Sequence, residues 1–285
     1  MPYDAFVEVA DRITGERSNL TPSERRIAEA ILADPQLVAF GTVADLAARA
    51  GAGAATVVRL ANKVGFDGFS GLQHAVQEEL SRRLRPAAER IRHAAPSDAI
   101  GRTTDIELDN VAETLNGIDR GTFERAVGFL VDPSRTIVLI SGDASAGIAL
   151  QCASELSALR PHVRFISGNE VAVLRELALL EPGDVIVAMD LRRYDSWVVD
   201  AVHLAATLDC DVIAISDSLL SPIAVPAAAA FAVIAGGAGP FDSHVGTLAL
   251  CNALVTACAG RLRASATSRL DRFEAMWHEA KALRE

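Results

Sequence analysis

Residues 41–72 read GTVADLAARAGAGAATVVRLANKVGFDGFSGL, and this stretch decides the fold of the N-terminal part of the chain. Thr42 is placed to cap a helix with Asp45 in its first turn, and Val43, Leu46, Ala47 and Ala50 recur at the spacing that buries one helical face. Gly51, Ala52 and Gly53 break the pattern. It resumes from Ala54 to Val64, where Val57, Ala61 and Val64 face inward and Thr56, Arg59 and Lys63 share the opposite side. Two short amphipathic helices meeting at a glycine turn, the second with a polar and basic face, form the arrangement that presents a helix to the DNA major groove. Thr56 lies near the helix start, where base edges are read, and Arg59 can donate two parallel hydrogen bonds to a guanine. Lys63, a turn later, suits a phosphate. An alanine-rich helical hairpin with no ligand shares this periodicity and is the plain alternative.

Upstream, Thr21-Pro22-Ser23-Glu24 reads as a capping box with proline at the first helical position, which predicts a helix over residues 22–33 burying Ile27, Ala30 and Ile31. A third helix is required because two crossing helices cannot bury both apolar faces by themselves.

LTPSERRIAEAIL at 20–32, TVADLAARAG at 42–51 and ATVVRLANKVGFDGFSGLQ at 55–73 resemble the RpiR (MurR) family of bacterial transcriptional regulators, and the resemblance spans nearly the whole chain. It implies a DNA-facing set of Thr42, Ala55, Thr56, Arg59, Lys63 and Gln73. Two positions depart from the family pattern. Gly53 stands at the recognition-helix N-cap where serine is usual, and Gln73 stands where lysine or arginine often reaches phosphate.

The chain has 285 residues, half of them hydrophobic, with few aromatics, which predicts two compact domains. Residues 1–11 carry acidic side chains and no apolar run, and the most apolar stretch, 245–260, is too short and too polar to span a bilayer, so the expected place is the cytoplasm with no membrane partner. Cys152, Cys210, Cys251 and Cys258 lie in apolar segments without a C-x-x-C pair, which predicts reduced, packed thiols and no metal or other cofactor.

A net charge of -10 argues at first sight against a nucleic-acid partner. Residues 1–95, however, carry 12 Lys plus Arg against 12 Asp plus Glu, so all the excess negative charge lies beyond them. A neutral head on an acidic body predicts strongly salt-dependent DNA binding. Residues 72–93 read as one long helix with Arg82, Arg83, Arg85, Arg90 and Arg92, which either approach the DNA backbone or remain solvated. Residues 94–97 mark the expected boundary, giving a helix-turn-helix domain over 1–95 and a second domain over 96–285.

In the second domain short apolar runs at 136–140, 163–166, 185–189, 212–215 and 231–234 alternate with helical segments, the pattern of a five-stranded parallel sheet covered on both faces. The expected fold is therefore an all-α N-terminal domain followed by a doubly wound α/β domain. Ligands in such sheets bind beyond the carboxyl ends of the strands, which singles out residues 141–147, 167–170, 190–195 and 216–218. The first, SGDASAG, offers hydroxyls and backbone N–H groups at a helix starting near Ala144, a usual anion site. The domain resembles the SIS (sugar isomerase) fold, which in the RpiR family usually senses phosphosugars. By that resemblance Ser141 and Ser145 would meet a phosphate.

After the third strand most SIS domains carry a serine- and glycine-rich phosphate loop, whereas this chain reads MDLRRYD at 189–195. Adjacent arginines can pair with a carboxylate or phosphate, so the expected effector is a small anion that need not be a sugar phosphate. Arg192 and Arg193 either bind it, pair with Asp190 and Asp195, or lie in an oligomer interface. Phe241-Asp242-Ser243-His244 invites a hydrolase reading, but adjacent residues cannot hold a catalytic triad; Ser243 or His244 remains a candidate for the pocket or for a subunit contact. The effector set is thus Ser141, Ser145, Ser167, Glu170, Arg192, Arg193 and Ser243. The expected function is a non-enzymatic, effector-responsive regulator that binds a palindromic operator as a homodimer or homotetramer, residues 245–263 being the candidate dimer helix. The alternative is an SIS-type sugar-phosphate isomerase with a helical accessory domain, for which Glu170 is the acid available as base.

Overall fold

The computed structural model describes residues 9, 12, 13, 15, 16, 19–33, 35–83, 87–93, 98–166, 170–219 and 221–283. The chain divides into two compact units, Met1–Pro86 and Ala87–Glu285.

The described elements of the first unit are all helical: α1 (Pro22–Ala33), α2 (Pro35–Phe40), α3 (Val43–Arg49), α4 (Ala54–Lys63) and α5 (Gly68–Arg83). Local chemistry starts them. The Thr21 N–H donates to Glu24 Oε2 at 2.8 Å and the Glu24 N–H to Thr21 Oγ1 at 3.4 Å, the reciprocal cap expected of that sequence. Thr42 and Asp45 close a second capping box at the start of α3. The turn after α3 passes through Gly51 at φ +56°, a left-handed conformation that glycine adopts without a Cβ penalty. Arg26 then reaches across from α1 to donate to the carbonyls of Ala50 and Gly51, each at 3.2 Å. Ile27, Ile31, Val38, Leu46, Val57, Leu60, Leu72 and Val76 form the core, each large aliphatic side chain stabilising the unit by roughly 1.5–3 kcal/mol on burial. The sequence pattern did not announce α2, whose six residues are too few to show a period. It starts on Pro35, suited to the first helical position, and its carboxyl end is held by α5. Gln73 Nε2 donates to Val38 O at 3.0 Å and Gly41 O at 2.9 Å, and Gln77 Nε2 to Ala39 O at 2.7 Å.

Of the expected helix over 72–93 the described residues are helical in α5, which starts earlier at Gly68, and in α6 (Ala87–His93), which groups with the second unit; residues 84–86 lie outside the described residues. That unit continues with α7 (Ala99–Asn116), α8 (Arg120–Val131), β1 (Ile137–Ser141), α9 (Ala146–Leu159), β2 (Val163–Phe165), α10 (Glu170–Leu177), β3 (Val185–Met189), α11 (Ser196–Thr207), β4 (Asp211–Ser216), β5 (Ala229–Ala232), α12 (Val245–Arg261) and α13 (Arg263–Ala280). The five strands are all parallel, in the order β2-β1-β3-β4-β5. Alternate residues serve two cores. Ile137, Leu139, Val185, Val187, Ile213 and Ile215 pack with helices α8, α9 and α12 on one face. Val138, Ile140, Ile186, Ala188, Val212 and Ala214 pack with α10 and α11 on the other, which is why the strands read as unbroken apolar runs.

Four strands and one helix start differ from the sequence reading by one or two residues; β2 ends at Phe165 and β4 runs from Asp211 to Ser216. β1 includes Ser141, β5 begins two residues earlier in an alanine run, and a 3-10 turn over Asp143–Ser145 precedes α9. The candidate dimer helix α12 is apolar around its circumference for an internal reason. Gly246, Leu250, Cys251, Leu254 and Cys258 are buried against α7, α8 and α9 of its own unit. Among the described residues no single helix is long and apolar enough to cross a membrane.

Candidate DNA interface and ligand crevice

In α4 the inward set is Val57, Leu60 and Ala61, with Val64 just after it. Ala55, Val58 and Arg59 are exposed and Thr56 is half-buried beside them. Arg59 Nη2 donates to Thr56 Oγ1 at 2.9 Å, so the hydroxyl holds the guanidinium toward the amino-terminal half of the helix. Gly53 caps that end with no side-chain hydrogen bond. The helix dipole and its first N–H groups are thus offered to an anion.

Three members of the proposed DNA-facing set are engaged within the unit. Lys63 Nζ donates to Asn19 O at 2.7 Å and to Glu24 Oε2 at 3.1 Å. Glu24 therefore closes the α1 cap and holds the ammonium too; its carboxyl is lowered first by the Thr21 N–H, with burial opposing and Lys63 assisting. Gln73 grips the end of α2, as above, and Thr42 caps α3. Arg82, Arg83 and Arg85 lie outside the described side chains.

In the second unit the strand order places a switch point between β1 and β3, where connections leave in opposite directions and parallel α/β folds form their ligand crevice beyond the carboxyl ends. Ser141 pairs with Met189 there, and the Gly142 N–H donates to Met189 O at 3.1 Å. The crevice holds a carboxyl group of the chain itself. A Cβ on Gly142 would overlap the Asp190 carboxylate, and Asp190 Oδ2 accepts from the Asp195 N–H at 2.8 Å. Asp195 Oδ2 in turn accepts from the Asp143 N–H at 3.0 Å. At the end of β4, Asp217 Oδ1 accepts from the Tyr194 hydroxyl at 2.8 Å. Burial raises the Asp190 carboxyl to about 7, against the pull of the Asp195 N–H, with the Asp195 and Asp217 charges adding to the rise.

The proposed pairing of Arg192 and Arg193 with Asp190 and Asp195 is replaced by a longer-range one. Arg192 donates to both oxygens of Asp242, at 2.6 Å and 3.3 Å, and Arg90 of α6 donates to Asp242 Oδ1 at 2.7 Å. The partner comes from the segment between β5 and α12. Arg193 is exposed at φ +68°. Burial works to raise the Asp242 carboxyl, but the two guanidiniums together hold it below the usual range.

Ser243, flagged in the sequence, donates to Glu107 Oε2 of α7 at 2.5 Å and so fastens the loop before α12. Ser145 is buried at the start of α9. Ser167 and the Glu170 side chain lie outside the described residues. Among the described residues, buried Ser141 Oγ, His244 Nδ1 and Thr247 Oγ1 find no hydrogen-bond partner in the protein. Ser141 ends β1 and the other two open α12, so all three belong to the carboxyl-end region of the sheet. Burial lowers the His244 imidazole, with Asp242 opposing. Sequence reasoning set Arg90 against DNA or solvent and Asp242 in a rejected hydrolase motif; the structure pairs them instead, and their separation of 152 residues leaves no local signal.

A helix-turn-helix unit followed by a doubly wound parallel sheet with a polar crevice at its carboxyl end defines a class, the transcriptional regulators that carry an SIS domain. Residues 7–83 match the family model described as "Helix-turn-helix domain, rpiR family", and residues 130–257 match that of the SIS domain. The helix-turn-helix unit is thus that of the rpiR family, followed by an SIS domain. An uncharacterized HTH-type transcriptional regulator of Haemophilus influenzae is 27% identical over 220 residues, covering 75% of this chain and 76% of that protein. The sugar isomerase domain of the RpiR transcription factor from Sphaerobacter thermophilus matches with a TM-score of 0.57 and 27% identity, covering 62% of this chain and 98% of that one. The Vibrio vulnificus NanR protein complexed with ManNAc-6P shares the fold, with a TM-score of 0.58 and 21% identity over 95% of this chain and 98% of that one.

Proposed function

We propose that this regulator reads DNA through the amino-terminal half of α4 and that a small anionic metabolite, bound at the carboxyl end of the parallel sheet, changes its hold on a palindromic operator. The carrying observation is the exposed Thr56–Arg59 pair on the second helix of the helix-turn-helix. Ala55 has no bulk to hold the helix off the groove, and Thr56 pre-orients the guanidinium that reads a guanine. Lys63 and Gln73 serve this reading indirectly, by fixing α4 on α1 and α5 on α2.

Two features support an effector site. Arg90 and Arg192 bring two guanidiniums onto Asp242, and buried Ser141 Oγ, His244 Nδ1 and Thr247 Oγ1 offer polar atoms that a ligand satisfies. The solved NanR neighbour is complexed with ManNAc-6P, which supports a small-molecule role for this fold. The second unit is read as a sensor, not as an isomerase, and a dimer or tetramer supplies the paired heads that a two-fold operator requires.

The test is retardation of DNA from upstream of the coding sequence. Arg59→Ala weakens specific binding by about 1–3 kcal/mol and relaxes preference at one base pair of each half-site. Lys63→Ala acts differently, lowering thermal stability by roughly 0.5–1 kcal/mol, since its ion pair is partly exposed, while sequence preference stays unchanged. Unaltered retardation by the Arg59 variant would overturn the reading.

A further inference from the structure

The loops at the ends of β1 and β3 begin helices whose amide groups, in parallel α/β folds, usually receive a ligand's negative charge. Here internal carboxylates receive two loop amides just ahead of those helices. Asp190 Oδ2 takes the Asp195 N–H at the N-cap of α11, and Asp195 Oδ2 takes the Asp143 N–H ahead of α9. The Asp190 side chain is 6% exposed and lies against Gly142, which has no Cβ to displace it. Asp217, beyond β4, is bonded to Tyr194 of the same β3 loop. The positive side chains of that loop point elsewhere or outward: Arg192 is bound by Asp242, and Arg193 is exposed.

We infer that Asp190 and Asp195 are specificity-determining residues that exclude phosphoryl groups from the crevice, so that the effector of this regulator is unphosphorylated at the end that meets β1 and β3. A phosphate needs the two amides already donated, and it would approach fixed carboxylates of its own sign. A ligand bearing hydroxyl donors meets the same oxygens favourably, because ionised carboxylates only accept. This rests on the effector site proposed above, and it narrows that anion to one whose charge is not a phosphate ester at this position.

The experiment uses the full chain at pH 8 with inorganic phosphate and glucose 6-phosphate as probes, read by thermal denaturation and by phosphorus NMR line width. The wild-type protein is expected to show neither stabilisation nor broadening. Asp190→Ser combined with Asp195→Thr returns rotatable hydroxyls and frees both amides; it is expected to raise the melting temperature by several degrees with either probe. Stabilisation of the wild type by either probe would overturn the inference. So would a doubly substituted chain that unfolds cooperatively yet binds neither probe. Should the hydroxyl variant fail to fold, Asp190→Ala with Asp195→Ala, which frees both amides and removes both charges, is expected to broaden the phosphate resonance where wild type does not; no broadening would again overturn it. A chain that meets these expectations but does not retard DNA rejects the regulator reading alone.

Discussion

Replacing Asp242 by alanine destabilises the unit Ala87–Glu285 by about 3 kcal/mol. Its carboxylate holds Arg192 through two contacts and Arg90 through a third, and the three side chains are only 15–25% exposed. Removing one partner of a buried ion pair costs about 3–5 kcal/mol, because the other charge is left uncompensated; the lower end applies to groups that retain some contact with water. For a unit of this size the melting temperature then falls by roughly 6–12 °C. Asp242→Asn, with an acceptor oxygen but no charge, falls between. The pH dependence has a definite sign. A carboxyl lowered in the folded state contributes stability that is present above its unfolded value of 3.8 and lost as pH falls through the lower folded value. Calorimetry of the full chain at pH 7 and pH 3.5 checks both, and an Asp242→Ala transition superimposed on wild type at pH 7 would remove the ion-pair assignment.

Asp190→Asn has the opposite effect. The folded carboxyl is raised from 3.8 to about 7, so between those values the folded state retains a proton that the unfolded state has released. Stability therefore declines as pH rises across that window, by about 1.4 kcal/mol for each unit. The asparagine variant lacks this decline and keeps an oxygen for the Asp195 N–H. The two proteins are expected to be nearly equal at pH 4, with the variant ahead by about 4 kcal/mol at pH 8. Urea titrations at the two pH values measure the gap, and parallel behaviour would show that Asp190 is not held protonated by its surroundings.

What the sequence made legible follows the range of the interactions. The α1 boundaries match the expectation because Thr21, Pro22 and Glu24 act within one turn, and α3 and α4 follow because their periodicities are local. The strands were readable because burial on both faces removes polar alternation. The partner of Lys63 was not, since Glu24 lies 39 residues away. Nor was that of Arg192, which the sequence reading sought among its neighbours while the structure supplies Asp242 from 50 residues downstream. The same limit applies to Asp190: a carboxylate in a loop looks solvated until the fold presses it against Gly142.

Asp242 also works as a balance with unequal arms. Arg192 belongs to the loop after β3, whereas Arg90 belongs to α6, the first helix after the division at residues 86 and 87. An anion that drew Arg192 away would leave Asp242 to Arg90 alone. The loop after the central strand β3 and the segment where the chain enters its second unit are thus tied to one and the same carboxylate.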